Sequence, residues 1–391
     1  MKPARPLVTA AILAVGAGAL VTAFAAQGSK PAIARRDPPR DPPPPPPPPA
    51  QNRPRVEVVF VLDTTSSMSG LIDGAKRKIW SIADYIAKAQ PQPDLRVGLV
   101  AYRDKGDAYV TQVTDLSGDL DAVFLRLREL RAEGGGDTPE HVGKGLHDAL
   151  DKVSWSKDGN VMKTIYLVGD APPQDYHDGF SAPAAAKKAH ERGILLHAIR
   201  CGDMPDTART FTALAQVGGG DFSSIGQDGA VAAVRTPYDD KLAALSDKLA
   251  GTAIGYGSEQ AQRDNALKVR SAYALPAEAK ADRAAFVARK GRATDGEDDV
   301  VAAYAEGRLD VAAAPAASLG GGLGAMAPAA RQKVVAEKAE ERKVLLKEID
   351  ELSKKRASFV ATENAKSKDS FDAKVRSGLK KQAKDHGLAM E

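Results

Sequence analysis

Asp63-Thr64-Thr65-Ser66-Ser67 follows directly on the apolar run Val56-Glu57-Val58-Val59-Phe60-Val61-Leu62. A carboxylate and a run of hydroxyls are thereby set on a sharp turn behind a buried strand, at the edge where open α/β sheets take their ligands. Oxygen donors of low total charge suit a hard divalent cation such as Mg²⁺, and a shell with few charges leaves that ion strongly electrophilic. Two further segments carry the same chemistry. Gly134-Gly135-Gly136-Asp137-Thr138-Pro139-Glu140 is a glycine loop leading into a helix with Pro139 as its first residue. Ile165-Tyr166-Leu167-Val168-Gly169-Asp170-Ala171-Pro172-Pro173 ends a second apolar strand in a carboxylate and a rigid proline pair.

Each segment alone has a plainer explanation. Asp63, Thr65 and Ser67 serve equally well as turn and cap residues for a helix starting near Ser69, Thr138 as an N-cap before an N1 proline, and Asp170 as a turn cap. In a doubly wound sheet, however, all three segments lie on one edge. Asp63, Thr65, Ser67, Thr138 and Asp170 can then converge on one ion and leave a position for an incoming oxygen. The plainer readings would have to coincide three times.

At these residues the chain resembles the von Willebrand factor type A domain, also called the integrin I-like domain, whose metal-ion-dependent adhesion site is Asp-x-Ser-x-Ser plus a later Thr and Asp. Asp63, Thr65 and Ser67 fill the first element, with Thr65 keeping a hydroxyl where Ser is usual, and Thr138 and Asp170 fill the other two. The resemblance spans roughly residues 55–250. It implies a six-stranded, mostly parallel sheet flanked by helices, with Mg²⁺ or Mn²⁺ at its top. It also implies a protein partner whose Asp or Glu completes the metal shell, and a last helix, here roughly Gly229 to Leu249, that shifts between affinity states. The tail after Gly251 looks like that of uncharacterised exported bacterial proteins of this family, and no role comes with it.

The rest of the chain has to position those residues. Between Val56 and about Ala250, strand candidates (Val56–Leu62, Arg96–Tyr102, Ala108–Val113, Thr164–Val168, Ile194–Ile199, Asp221–Ser223) alternate with amphipathic helices. That alternation argues for an α/β fold with a doubly wound, Rossmann-like parallel sheet. The helices are read at Leu71–Ala89, Asp119–Arg131, Pro139–Val153, Ala184–Glu191, Asp206–Gln216 and Gly229–Leu249.

Residues 1–26 read as an export segment, with Lys2 and Arg5 ahead of an apolar stretch and Ala23-Phe24-Ala25 as a small-residue cleavage motif. The stretch is also just long enough for an uncleaved membrane anchor, so both readings stand and each places the folded part outside the cytoplasm, in the periplasm or beyond. Residues 27–54 contain an unbroken proline run from Pro42 to Pro49, a stiff polyproline II spacer. Residues 251–330 turn Ala/Gly-rich and charged and read as a partly helical linker, with the Gly/Ala stretch at 318–330 its flexible part. In residues 331–391 two helical stripes recur, Leu345-Ile349-Leu352-Phe359 and Phe371-Val375-Leu379-Ala383. They are expected to pack on each other, on the main domain or on a second copy.

The chain of 391 residues carries a net charge of only +4, and the tail holds nearly all of that excess. Its signs alternate along the tail as on a solvated helical face, and aromatic residues are too sparse there for base stacking, so no nucleic-acid partner is expected. Catalysis finds little support. The six histidines show no i, i+4 metal spacing, no nucleophile elbow or phosphate-binding loop is present, and Cys201 is the only cysteine. His177, just past Asp170, is the one histidine placed to act as a base beside a bound water. The expected class is therefore a metal-dependent binding module, with a structural role carried by the tail as the alternative and a metal-dependent hydrolase after that.

Overall fold

The structure, a computed structural model, describes residues 53–136, 140–225, 235–365 and 371–390. The export segment, nearly all of the proline spacer and Thr138 lie outside them. Six strands form one sheet: β1 (Arg55–Asp63), β2 (Asp94–Tyr102), β3 (Thr111–Ser117), β4 (Met162–Gly169), β5 (Ile194–Cys201) and β6 (Gly219–Ile225). Their order is β3-β2-β1-β4-β5-β6, and every pairing is parallel except β2 with β3. The order reverses at β1 and β4, so the crevice beyond their C-terminal ends is the topological switch point. Asp63 and Asp170 stand at those two ends.

Helices cover both faces. On one side α3 (Val142–Asp151), α4 (Ala182–Glu191) and α5 (Pro205–Val217) close a core around Val59, Val61, Ile165 and Leu167. The odd-numbered inward residues of β1 thus belong to this face, while Val58, Phe60 and Leu62 belong to the other. That other face is covered by α1 (Ile72–Ala87) and α2 (Leu120–Glu129), joined by later helices. β1 and β4 are buried along nearly their whole length, which is why their sequences show no polar alternation.

Several expectations shift. The third strand runs Thr111–Ser117, not Ala108–Val113, because residues 103–110 form the loop that turns the chain antiparallel. The helix expected from Pro139 starts at Val142 instead. Glu140 N bonds to Pro172 O at 3.0 Å and Gln174 N to Glu140 O at 2.8 Å, so a bridge to the β4 loop takes the backbone groups a helix would need. Of the helix expected at Gly229–Leu249, residues 235–250 yield α6 (Asp239–Ala250), and residues 226–234 lie outside the description.

Residues 251–330, read as a partly helical linker, hold α7 (Glu259–Tyr273), α8 (Ala277–Arg289) and α9 (Val300–Ala305). Leu319 and Leu323, inside the stretch expected to be flexible, pack with Ile254, Val300, Val301, Val311 and Val335 into a small core of their own. The tail forms α10 (Pro328–Ala365) and α11 (Phe371–Asp385), and of its three expected destinations it takes the main domain. Ile349 and Leu379 are fully buried in the main core, and Gln382 reaches the central strand, accepting from Thr164 Oγ1 at 2.8 Å and donating to Lys163 O at 3.0 Å. The solvated-face reading of α10 misses two inward arginines. Arg342 pairs with Asp299 at 2.8 Å, and Arg356 pairs with Asp239 and Asp282, both at 2.6 Å.

Candidate metal centre

β1 delivers Asp63 to the sheet edge, and the chain then enters a short 3-10 turn, Ser66–Gly70, before α1. Neither Thr65 nor Leu71, the residues in cap position, makes a side-chain cap. The cap explanation for Thr65 and Ser67 is therefore removed: their hydroxyls point at each other and at carboxylates. Asp63 Oδ1 accepts from Thr65 N at 2.9 Å and from Thr65 Oγ1 at 2.6 Å. Ser67 Oγ donates to Asp170 Oδ1 at 3.0 Å. Thr65 Oγ1 and Ser67 Oγ lie 3.1 Å apart and share a hydrogen bond that either hydroxyl can donate. The fifth oxygen, Asp63 Oδ2, is buried and makes no hydrogen bond of ordinary geometry, with the Tyr102 hydroxyl beside it.

Acceptors converge here. Burial, then the charge of Asp170, pushes the Asp63 carboxyl up to about 7 against the pull of the Thr65 bonds. Burial likewise raises Asp170, partly offset by Ser67. A buried carboxylate pair of this kind is costly unless a proton or a metal ion compensates it. The donors are all oxygens, the set a hard divalent ion takes. Among the described residues no three acid, His or Cys side chains form a group that could hold a metal, so an ion here would rest on two carboxylates and neutral hydroxyls.

The surroundings are built to that spot. Thr64 N bonds to Tyr102 O at 3.0 Å, Ser66 N to Gly134 O at 3.0 Å and Glu133 N to Thr64 O at 3.0 Å, so the first loop is stitched to the end of β2 and to the glycine loop. Asp107 accepts from Gly135 N at 2.9 Å and holds that loop from the other side. A Cβ on Gly169 would collide with the Tyr102 hydroxyl and come within 3.1 Å of Asp63 Oδ2, so only glycine fits beside the carboxylate. Thr207 Oγ1 bonds to the Asp170 carbonyl at 2.8 Å and fixes the third loop to α5.

Four of the five residues picked from sequence thus meet in one hydrogen-bonded chain, and Thr138 lies outside the described residues. One participant went unnoticed. Glu140 is buried, with Oε2 unpartnered, and burial followed by the charge of Asp63 pushes its carboxyl up to about 8. An acid placed in the same segment as Thr138 was the available signal. His177 is 87% exposed and pairs only with Asp175, away from the buried acids. The buried histidine nearby is His141, bonded through Nε2 to Asp178 at 3.1 Å.

Residues 57–226 match the family described as von Willebrand factor A domain. Over 122 residues the chain is 30% identical to the human von Willebrand factor A domain-containing protein 7, a stretch covering 31% of this chain and 12% of that protein. Over 125 residues it is 28% identical to the alpha-protein kinase vwkA of Dictyostelium discoideum, covering 31% and 20%. The chain thus spans no more than a fifth of these relatives' length. Among solved structures it is similar to proximal thread matrix protein 1 of the mussel byssus with a zinc-occupied metal-ion-dependent adhesion site. There the identity is 17% and the TM-score 0.35, over 44% of this chain and 42% of that one. The match to the von Willebrand factor A domain family is confined to residues 57–226, and α6 to α11 lie beyond it.

Proposed function

We propose that the chain is an exported, metal-dependent protein-binding module. In this reading Asp63, Thr65, Ser67, Thr138 and Asp170 hold Mg²⁺ or Mn²⁺, and a protein partner contributes an Asp or Glu. The supporting observation is the buried Asp63 carboxylate beside Asp170, its Oδ2 without a hydrogen bond of ordinary geometry and the Thr65 and Ser67 hydroxyls turned to the two carboxylates. When bound, the cation supplies a Lewis-acidic position that prefers an anionic oxygen. The chain's own residues do the rest. Thr65 and Ser67 orient the two carboxylates, Gly169 keeps the space beside Asp63 clear, and Asp107 holds the Gly135 backbone in place.

The reading is one of binding without catalysis: His177 is exposed, burial pushes the Cys201 thiol far up, and His141, the buried histidine of this region, is bonded to Asp178. Placement outside the cytoplasm, on a proline stalk, rests on residues 1–54. The alternative, assembly through the helical tail, is weakened by Leu345, Ile349, Val375, Leu379 and Ala383, which are already buried in the main core. The test is capture from the native envelope with the full chain as bait. Partners should be retained in Mg²⁺, released by EDTA and missing with Asp63→Ala; retention that ignores EDTA and the substitution would overturn the reading.

A further inference from the structure

Tyr102, Asp63 and Gly169 end three neighbouring strands, β2, β1 and β4. The register pairs Asp63 with Tyr102 and Leu62 with Val168, so strand alternation puts the three residues side by side on the face that α3 covers. Tyr102 is fully buried, and its ring reaches from β2 across β1 to β4, where its hydroxyl donates to the Val168 carbonyl at 3.5 Å. Two glycines make room for it. A side chain at Gly169 would strike the hydroxyl, and one at Gly145 of α3 would come within 3.2 Å of Tyr102 Cβ and Cδ1. The Tyr102 carbonyl accepts from Thr64 N and Thr64 Oγ1, at 3.0 Å each, which ties the tyrosine backbone to the residue after Asp63.

A buried phenol requires an acceptor, and the bond to Val168 is at the outer limit of useful length. The other acceptor in reach is Asp63 Oδ2, beside the hydroxyl and without an ordinary hydrogen bond of its own. Oδ1 of the same carboxylate is already held by Thr65, through its N–H at 2.9 Å and its hydroxyl at 2.6 Å. A metal-binding carboxylate is oriented by the hydrogen bonds it accepts, and those partners weigh on affinity nearly as much as the ligands do. We propose that Tyr102 is a positioning residue for the metal centre: its hydroxyl donates to Asp63 Oδ2 once a divalent cation is bound, holding the carboxylate at the end that Thr65 leaves free. The inference rests on the metal reading above and adds the residue that supports Asp63 from inside the fold. A tyrosine that merely filled the core would leave metal affinity indifferent to its hydroxyl.

Titration calorimetry of the full chain with Mg²⁺ compares the wild type, Tyr102→Phe, Gly145→Ala and the double variant, with thermal melts of each in the absence of metal. Tyr102→Phe keeps the ring, so the metal-free midpoint should stay within a degree or two of the wild type while Mg²⁺ binding weakens about tenfold, the scale of one hydrogen bond to a charged group. Gly145→Ala, whose methyl meets Val61 and Tyr102, should weaken Mg²⁺ binding in the wild-type background and add nothing to Tyr102→Phe. The tyrosine absorption difference produced by Mg²⁺ should shrink in Tyr102→Phe. Equal Mg²⁺ affinity in wild type and Tyr102→Phe, a Gly145→Ala loss that persists in full without the hydroxyl, or an identical difference spectrum would overturn the proposal and leave the metal reading standing. A wild type that takes up no Mg²⁺ removes both.

Discussion

Ser67 and Asp170, 103 residues apart, are joined by a 3.0 Å hydrogen bond from Ser67 Oγ to Asp170 Oδ1. That bond closes the switch point between β1 and β4. Ser67→Ala should therefore loosen Asp170 without unfolding the domain. Mg²⁺ affinity is expected to fall by about tenfold, the scale of one lost hydrogen bond to a charged group, with the thermal midpoint of the metal-free protein unchanged within a degree or two. Calorimetry and a melt on the same sample measure both.

Metal binding should depend on pH with a defined sign. Burial and Asp170 hold the Asp63 carboxyl up near 7, so below that pH a proton competes for the same oxygen. Mg²⁺ affinity should rise as pH increases through about 7 and level off above about 8, where Glu140 has also ionised. For the metal-free protein the sign reverses. A raised carboxyl stabilises the fold at low pH, and that contribution is lost as pH rises toward 7. Mg²⁺ should accordingly raise the melting temperature more at pH 8 than at pH 6, and an equal increment at both would contradict the assignment.

How far the sequence reveals this arrangement depends on how each residue is disguised. β1 and β4 are legible because double-sided burial leaves them almost wholly apolar, and their ends mark Asp63 and Asp170 without further help. Glu140 is not legible, because an acid beside a proline at a helix start looks like ordinary dipole compensation, and only the bridge to Pro173 shows it turned inward. Between Gly251 and Ala330 the individual helices are blurred by their alanines, whose small side chains bury well yet carry little periodic signal. Arg342 and Arg356 read as solvent-facing members of a mixed-charge helix, and what reverses that is their acidic partners from elements far away in the chain.

Arg342 offers a stability test. It is buried, donates through Nε to Thr252 Oγ1 at 2.9 Å and through Nη2 to Thr252 O at 3.0 Å, and pairs with the fully buried Asp299. Arg342→Met strands the Asp299 charge, and removing one partner of such a pair typically costs about 3–5 kcal/mol. Urea unfolding should show a loss of that order. Arg342→Met with Asp299→Asn should recover part of it, because the uncompensated charge is then gone.

His197 should set an acid limit. It lies under α11, accepts from Asp221 N at 3.0 Å through Nδ1 and leaves Nε2 buried and unpartnered, and burial lowers its pKa to about 4. A lowered histidine gives its full stabilisation above the unfolded value near 6.5, and that is lost as pH falls toward 4. The wild type should lose about 2.5 kcal/mol more than His197→Gln between pH 7.5 and pH 4.5, at about 1.4 kcal/mol for each pH unit of displacement. Parallel denaturation curves for the two proteins would refute the buried neutral imidazole.

The central claim is that Asp63 anchors a divalent ion. Isothermal titration of the metal-free full chain with Mg²⁺, and separately with Mn²⁺, at pH 8 should give one saturable site, and Asp63→Ala should abolish it while keeping the wild-type circular dichroism spectrum. No heat from the wild type, or an isotherm that survives Asp63→Ala unchanged, would contradict the account.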